Sequence, residues 1–186
     1  MGYMERADLA RIIESLLFVS DQPLEMGRLE QVLEVPREAL DEAVAALAGE
    51  CTGRGVRLQR HGESLQMVTA PEVAPYVEKL LGVQNAAKLS PAALETLAII
   101  AYEQPVTRAR IEAIRGVNCD RALATLLARG LVAEVGRLET VGRPALFGTT
   151  FEFLQYFGLE SLSALPPPPQ GENGTTILQA AAASKA

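Results

Sequence analysis

The chain repeats itself. Residues 16–24 read Leu-Leu-Phe-Val-Ser-Asp-Gln-Pro-Leu, and residues 98–106 read Ala-Ile-Ile-Ala-Tyr-Glu-Gln-Pro-Val. Each is an apolar helical run that passes through an acid into Gln-Pro and then an aliphatic residue. Further on, Thr-Ala-Pro-Glu-Val-Ala-Pro-Tyr-Val at 69–77 is echoed by Thr-Thr-Phe-Glu-Phe-Leu-Gln-Tyr-Phe at 149–157. The two Gln-Pro pairs stand 82 residues apart and the two Thr-x-x-Glu segments 80 apart. A period of about 80 residues is too long for a solenoid and right for a small domain, so one module has been used twice.

Each copy reads as the same order of elements. In the first, Leu9, Ile12, Ile13, Leu16 and Leu17 fall on one helix face, and Pro23 ends that helix. A short helix around Leu29, Val32 and Leu33 follows. Pro36 suits the first turn of a third helix, with Leu40, Val44 and Leu47 as its buried stripe. Strand-like runs at 56–60 and 64–69 flank a His61-Gly62-Glu63 turn, and a helix over 71–81 closes the module. In the second, Ser90 and Pro91 open a helix over 94–103, and a short helix over 107–114 is closed by Gly116. Asn118 can cap a third helix carrying Ala122, Leu123, Leu126 and Leu127, ended by Gly130. A hairpin of 131–135 and 145–149 and a closing helix at 151–157 complete it. Three helices and a hairpin make a winged helix, so the expected fold is mainly α with small β hairpins (α+β), as tandem winged-helix domains. The expected boundaries are 1–82 and 90–165, with a linker at 83–89 and a disordered Pro/Ala-rich tail at 166–186.

Chemistry is scarce. His61 is the lone histidine, and metal sites or acid–base pairs need several convergent groups, so a turn residue is the simpler reading. Cys51 and Cys119 form no metal-type spacing and read as reduced thiols. No phosphate-cradling glycine loop or nucleophile elbow is present. Catalysis, metals and cofactors are therefore not expected. Charged residues near the start and the shortness of the apolar run at 97–102 argue against a signal peptide or a membrane span.

The net charge of −6 is unevenly spread: residues 1–88 sum to −5, whereas 104–148 sum to +3. The third helix of the first module is acidic and wrong for a phosphate backbone. The second module is more permissive, and Arg121, Arg129 and Arg137 are its candidate nucleic-acid contacts, with weak, non-specific binding expected. A dimeric transcription regulator using this module on DNA is the alternative reading of the chain. Ile99 and Ile100 add apolar surface outside the core-facing stripe of the helix over 94–103, which therefore needs cover on a second side.

The run Leu-Glu-Thr-Leu-Ala-Ile-Ile-Ala-Tyr-Glu-Gln-Pro-Val-Thr-Arg-Ala-Arg-Ile-Glu-Ala-Ile-Arg-Gly-Val-Asn at 94–118 resembles the segregation and condensation protein B family. So do Gly-Arg-Pro-Ala-Leu-Phe-Gly-Thr-Thr-Phe-Glu-Phe-Leu-Gln-Tyr-Phe-Gly-Leu at 142–159 and Ile-Ile-Glu-Ser-Leu-Leu-Phe-Val-Ser at 12–20. Phe147 and Phe151 depart from it, standing where the family often has Tyr and Pro. The resemblance implies a non-catalytic, cytoplasmic, nucleoid-associated subunit of the bacterial condensin, homodimeric through the first winged-helix domain. It also implies a kleisin partner, segregation and condensation protein A, which links it to the SMC ATPase. Gly142-Arg143-Pro144 is expected to hold Arg143 and Phe147 beside Ile99, Ile100 and Tyr102, forming a cationic-rimmed apolar groove for an amphipathic kleisin segment; the alternative is that it merely shapes the wing and Arg143 pairs with a local acid such as Glu139.

Overall fold

The computed structural model of the chain describes residues 6–82 and 88–167. The chain divides into two compact units, the first taking in Met1–Gln84 with Glu160–Leu162, the second Asn85–Leu159 with Ser163–Ala186. The expected second domain was contiguous through residue 165. Instead, the chain beyond the closing helix contributes three residues to the first unit. Residues 83–87 of the expected linker at 83–89 and residues 168–186 of the expected tail at 166–186 lie outside the described residues.

The first unit consists of α1 (Arg6–Val19), β1 (Leu24–Glu25), α2 (Met26–Leu33), α3 (Arg37–Cys51), β2 (Val56–His61), β3 (Ser64–Thr69) and α4 (Ala74–Leu81). Leu9, Ile13 and Leu17 of α1 meet Met26 and Leu29 of α2, Leu40, Val44 and Leu47 of α3, and Leu58 and Leu65 of the sheet in one core. This is the burial that the helical and alternating spacings require. Pro36 takes the position before α3 rather than its first turn. The hairpin turns through Gly62, at φ 57, and Glu63, so His61 belongs to the strand and pairs with Ser64. A single 3₁₀ turn, Pro71–Val73, precedes α4.

Each winged-helix hairpin gains a third strand that the spacing did not reveal. β1, directly after Gln22-Pro23, pairs antiparallel with β3, giving the order β1-β3-β2. At the opposite edge the backbone N–H of Arg60 donates to the Glu160 carbonyl at 2.9 Å, and Arg60 forms a parallel bridge with Ser161.

The second unit repeats the plan: α5 (Pro91–Glu103), β4 (Val106–Thr107), α6 (Arg108–Arg115), α7 (Asp120–Ala128), β5 (Val132–Arg137), β6 (Ala145–Thr149) and α8 (Phe151–Phe157), with strand order β4-β6-β5. Ser90 caps α5 by accepting the Ala93 N–H, as its position predicts. Gly116, at φ 71, ends α6. β5 starts one residue later and ends two residues later than expected, and it bulges between Glu134 and Gly136. α5 packs against α6, α7 and β6 within its own unit. That surrounding accounts for most of its near-continuous apolar character, and leaves Ile99 and Tyr102 half-buried.

The repeated glutamines have diverged. The Gln104 side-chain oxygen accepts both the Thr149 N–H at 2.7 Å and its hydroxyl at 3.0 Å, while the amide donates to the Ala101 carbonyl at 3.1 Å. This one side chain ties the end of α5 to the central strand. Gln22 is exposed. Gln104→Ala removes the acceptor of two hydrogen bonds from the buried Thr149, so it should cost about 1–3 kcal/mol in chemical denaturation. Gln22→Ala should cost less than about 0.5 kcal/mol, and equal losses would show that Gln104 is not the tie.

Candidate functional site

The third helix is the element a winged helix uses to read DNA, and in the first unit it is electrostatically unsuited to that task. The exposed positions of α3 are Glu38, Glu42, Ala45, Gly49 and Glu50. Its cation, Arg37, is committed to Glu30 at 3.0 Å, Asp41 at 3.1 Å and Glu63. Arg60 bonds Asp41 at 3.0 Å and lies 3.7 Å from Glu63. Burial would push the Asp41 carboxyl up, but the hydrogen bonds from Arg60 and Arg37 together outweigh it and hold the group below its ordinary range. These charges staple the wing turn to α2 and α3, leaving acids outward.

In the second unit the helix–turn–helix is fixed by a dense polar turn. Thr107 caps α6 by accepting the Arg110 N–H at 3.3 Å. α7 starts two residues after Asn118, whose side-chain oxygen accepts the Asp120 N–H at 3.0 Å. The Asn118 amide donates to Asp120 and to Glu112, and Glu112 also accepts the Cys119 N–H. The bond from Asn118, aided by Arg108 at 2.7 Å, holds the Asp120 carboxyl below its usual range. Arg115, almost wholly buried, reaches Glu95 at 3.0 Å and the Asn118 carbonyl at 3.3 Å.

The surface this turn presents is mostly apolar. Ala122, Leu123 and Leu126 of α7 are buried as expected, but Leu127, assigned by its spacing to the same stripe, is 40% exposed. It shares the outer face with Arg121, Ala124 and Ala128. Ile114 at the last turn of α6 and Val117 in the turn are 42% and 56% exposed. Spacing alone missed this face, because alanines and a leucine on a short helix read as core.

The expected groove does not form as drawn. Ile100 is fully buried and belongs to the core of the unit, because the α5 stripe turns to include it. Phe147 is buried on β6, the middle strand, where it faces Val106 on one side and Glu134 on the other. Neither offers a surface. Ile99 and Tyr102 are half-buried, and the Tyr102 hydroxyl donates to the Pro166 carbonyl at 2.8 Å. Arg143, at φ 37 in the wing turn, pairs with Glu139 at 2.8 Å. Of the candidate nucleic-acid contacts, Arg137 pairs with Glu134 at 2.9 Å, Arg129 is half-buried at the end of α7, and Arg121 is exposed.

Among the described residues, no cluster of three or more His, Cys, Asp or Glu is placed to hold a metal ion. No described helix is long and apolar enough to cross a membrane. Cys51 and Cys119 are free and buried, and burial pushes both thiols up.

The family model for segregation and condensation complex subunit ScpB matches residues 11–168. Segregation and condensation protein B of Geobacillus kaustophilus is 49% identical over 162 residues, covering 86% of this chain and 75% of that protein. A crystal structure of ScpB from Mycobacterium tuberculosis is 44% identical and covers 85% of this chain and 99% of its own, with a TM-score of 0.41. A crystal structure of a dimer of ScpB N-terminal domain complexed with ScpA peptide is 32% identical over 38% of this chain, with a TM-score of 0.36.

The charge network of the first unit has a pH signature. The Asp41 carboxyl is lowered in the folded state, so its contribution is present above the ordinary carboxylate range and is lost as pH falls through the lowered value. Asp41→Asn should therefore destabilise the protein at neutral pH, with the gap to the parent closing below about pH 4 in urea titrations. A gap that persists unchanged into acid would rule out this assignment.

Proposed function

The chain belongs to the segregation and condensation protein B family, and from that premise we propose that it is a non-catalytic subunit of the bacterial SMC–kleisin condensin complex. It works as a homodimer joined through the first winged-helix unit. It holds the kleisin subunit, segregation and condensation protein A, and through it reaches the SMC ATPase in the nucleoid. The family match over almost the whole described chain carries this reading. Two features of the first unit support its dimerisation. Phe18 and Val19 project from the end of α1, Phe18 being 86% exposed. Tyr76 and Leu80, one turn apart on α4, are exposed with Leu81, Leu80 at 84%. Large apolar side chains left in water so completely mark a surface that another protein covers.

The electrostatics favour a protein partner over a duplex. Phosphate binding needs clustered unpaired Lys and Arg. Here α3 turns acids outward, and the wing arginines of the second unit are neutralised by Glu134 and Glu139. Ile99 and Tyr102 on α5, with Arg143 at the wing, are retained as kleisin-contact candidates.

Light scattering of the purified chain should give twice its mass of 19.9 kDa, and the kleisin of the same genome should co-elute with it. Phe18→Asp combined with Leu80→Asp should yield monomers with near-parental thermal melting, since both side chains are solvent-exposed within one chain. A parent protein that stays monomeric at tens of micromolar, or a kleisin that elutes separately, would overturn the proposal.

A further inference from the structure

A strand at the edge of a sheet turns backbone groups outward and is a template for another strand, unless it is short, bulged, charged or covered. Three of the four sheet edges in this chain are blunted by their own geometry. β1 and β4 are two residues long, and β5 bulges between Glu134 and Gly136. β2 is the exception, keeping an unbroken register with β3 from Val56 to His61. Its sequence, Val-Arg-Leu-Gln-Arg-His, has no Gly, Pro or Lys to interrupt pairing. Its arginines are occupied, Arg57 with Glu72 at 3.4 Å and Glu160 at 3.5 Å, Arg60 with Asp41 and Glu63. Alternation along the strand directs the backbone groups of Val56, Leu58 and Arg60 to the outer edge. At the Arg60 end a segment from far along the chain meets that edge. The Arg60 N–H donates to the Glu160 carbonyl at 2.9 Å, and Arg60 bridges in parallel to Ser161. Glu160–Leu162 belong to the first compact unit although the chain on both sides of them belongs to the second.

We propose that Glu160–Leu162 are a strap over the β2 edge, and that the edge is a self-association site to which a second copy of this chain adds its own β2 when the strap lifts. A second copy is the occupant because a regular strand can pair antiparallel with its own image about a two-fold axis. Charge does not oppose this pairing. With the strap lifted, Arg57 keeps Glu72, and Arg60 keeps Asp41 and Glu63, so the two strands meet neutralised. The strap is held lightly enough to lift, since the Glu160 side chain is 57% exposed and an exposed ion pair of 3.5 Å adds little. This association is separate from the dimer assigned to α1 and α4, and it does not depend on the family reading.

The test compares the full chain with two strap variants, by light scattering over a concentration series and by amide hydrogen exchange at Arg60. In a parallel bridge the two neighbours of one residue bond the other, so the Leu162 N–H faces the Arg60 carbonyl. Leu162→Pro removes that donor, and proline suits the first position of the 3₁₀ turn Leu162–Ala164. Glu160→Lys sets a like charge against Arg57. Each variant should speed Arg60 exchange about tenfold or more, as loss of a hydrogen-bonded cover does. Each should also rise to about twice the parent's mass at the same high concentration. Adding Val56→Pro removes an outward donor at the first residue of β2, where a strand tolerates proline, and should restore the parental mass. If Leu162→Pro fails to fold, Glu160→Lys carries the test. Parental Arg60 exchange in the folded variants would show that the strap does not hold the edge and would overturn the proposal. Faster exchange at parental mass would overturn it too, because the bared edge then does not pair. So would a raised mass that Val56→Pro leaves unchanged, since the association would then use another surface.

Discussion

The two-residue strand after each Gln-Pro is the constraint on which each unit depends. Three consecutive helices can pack using mostly local contacts, and a hairpin can form on its own register. What joins them is the backbone pairing of β1 with β3 and of β4 with β6. It sets the wing against the helices and places the third helix next to the sheet. The two units reinforce this link with different chemistry. In the first, the Met26 N–H donates to the Glu63 carbonyl at 2.8 Å, and Arg37 and Arg60 gather Glu30, Asp41 and Glu63 around the wing turn. In the second, Gln104 and Thr149 do the same work with neutral groups. The second arrangement is packed closely enough that a Cβ on Gly148 would come within 3.1 Å of the Gln104 amide oxygen.

This difference in reinforcement determines which charges remain for the surface. Ion pairs that bridge elements remove their cations from the solvent-facing inventory. In the first unit Arg37 and Arg60 are held within the fold, so α3 is left with glutamates outward. In the second, Arg115 is drawn beneath the helix–turn–helix by Glu95 and the Asn118 carbonyl, leaving Arg121 as the exposed cation of the α7 stripe. One scaffold thus presents an acidic helix in one copy and a largely apolar helix in the other.

Much of the scaffold was legible in the sequence because helix caps and apolar periodicity are local. Ser90, Gly116 and the α1 stripe led directly to the elements they form, and the repeat predicted the second unit from the first. The features that were not legible have non-local causes. A two-residue strand is too short to show alternation, so β1 and β4 emerge only from their pairing. Ile100 and Phe147 read as surplus apolar surface, but each is buried by elements distant in sequence. Leu127 read as core because a short helix with adjacent leucines does not reveal which of them turns outward. The pairing of Arg60 with Glu160 and Ser161 spans the whole second module and carries no local signal at all.

The fate of the arginines explains why a winged helix of this kind suits protein recognition. Long-range attraction to a polyanion depends on the sum of unpaired charge over a face, whereas docking of a helix depends on dry apolar area with a few fixed polar points. Each arginine paired with a neighbouring acid lowers the first quantity and rigidifies the scaffold that supplies the second. With Arg108, Arg110, Arg115, Arg137 and Arg143 all paired, the basic excess of residues 104–148 becomes internal cross-linking rather than external field. A sequence count of arginines therefore overstates the affinity of the second unit for nucleic acid. The same pairs hold α6 and α7 in a fixed arrangement within the unit.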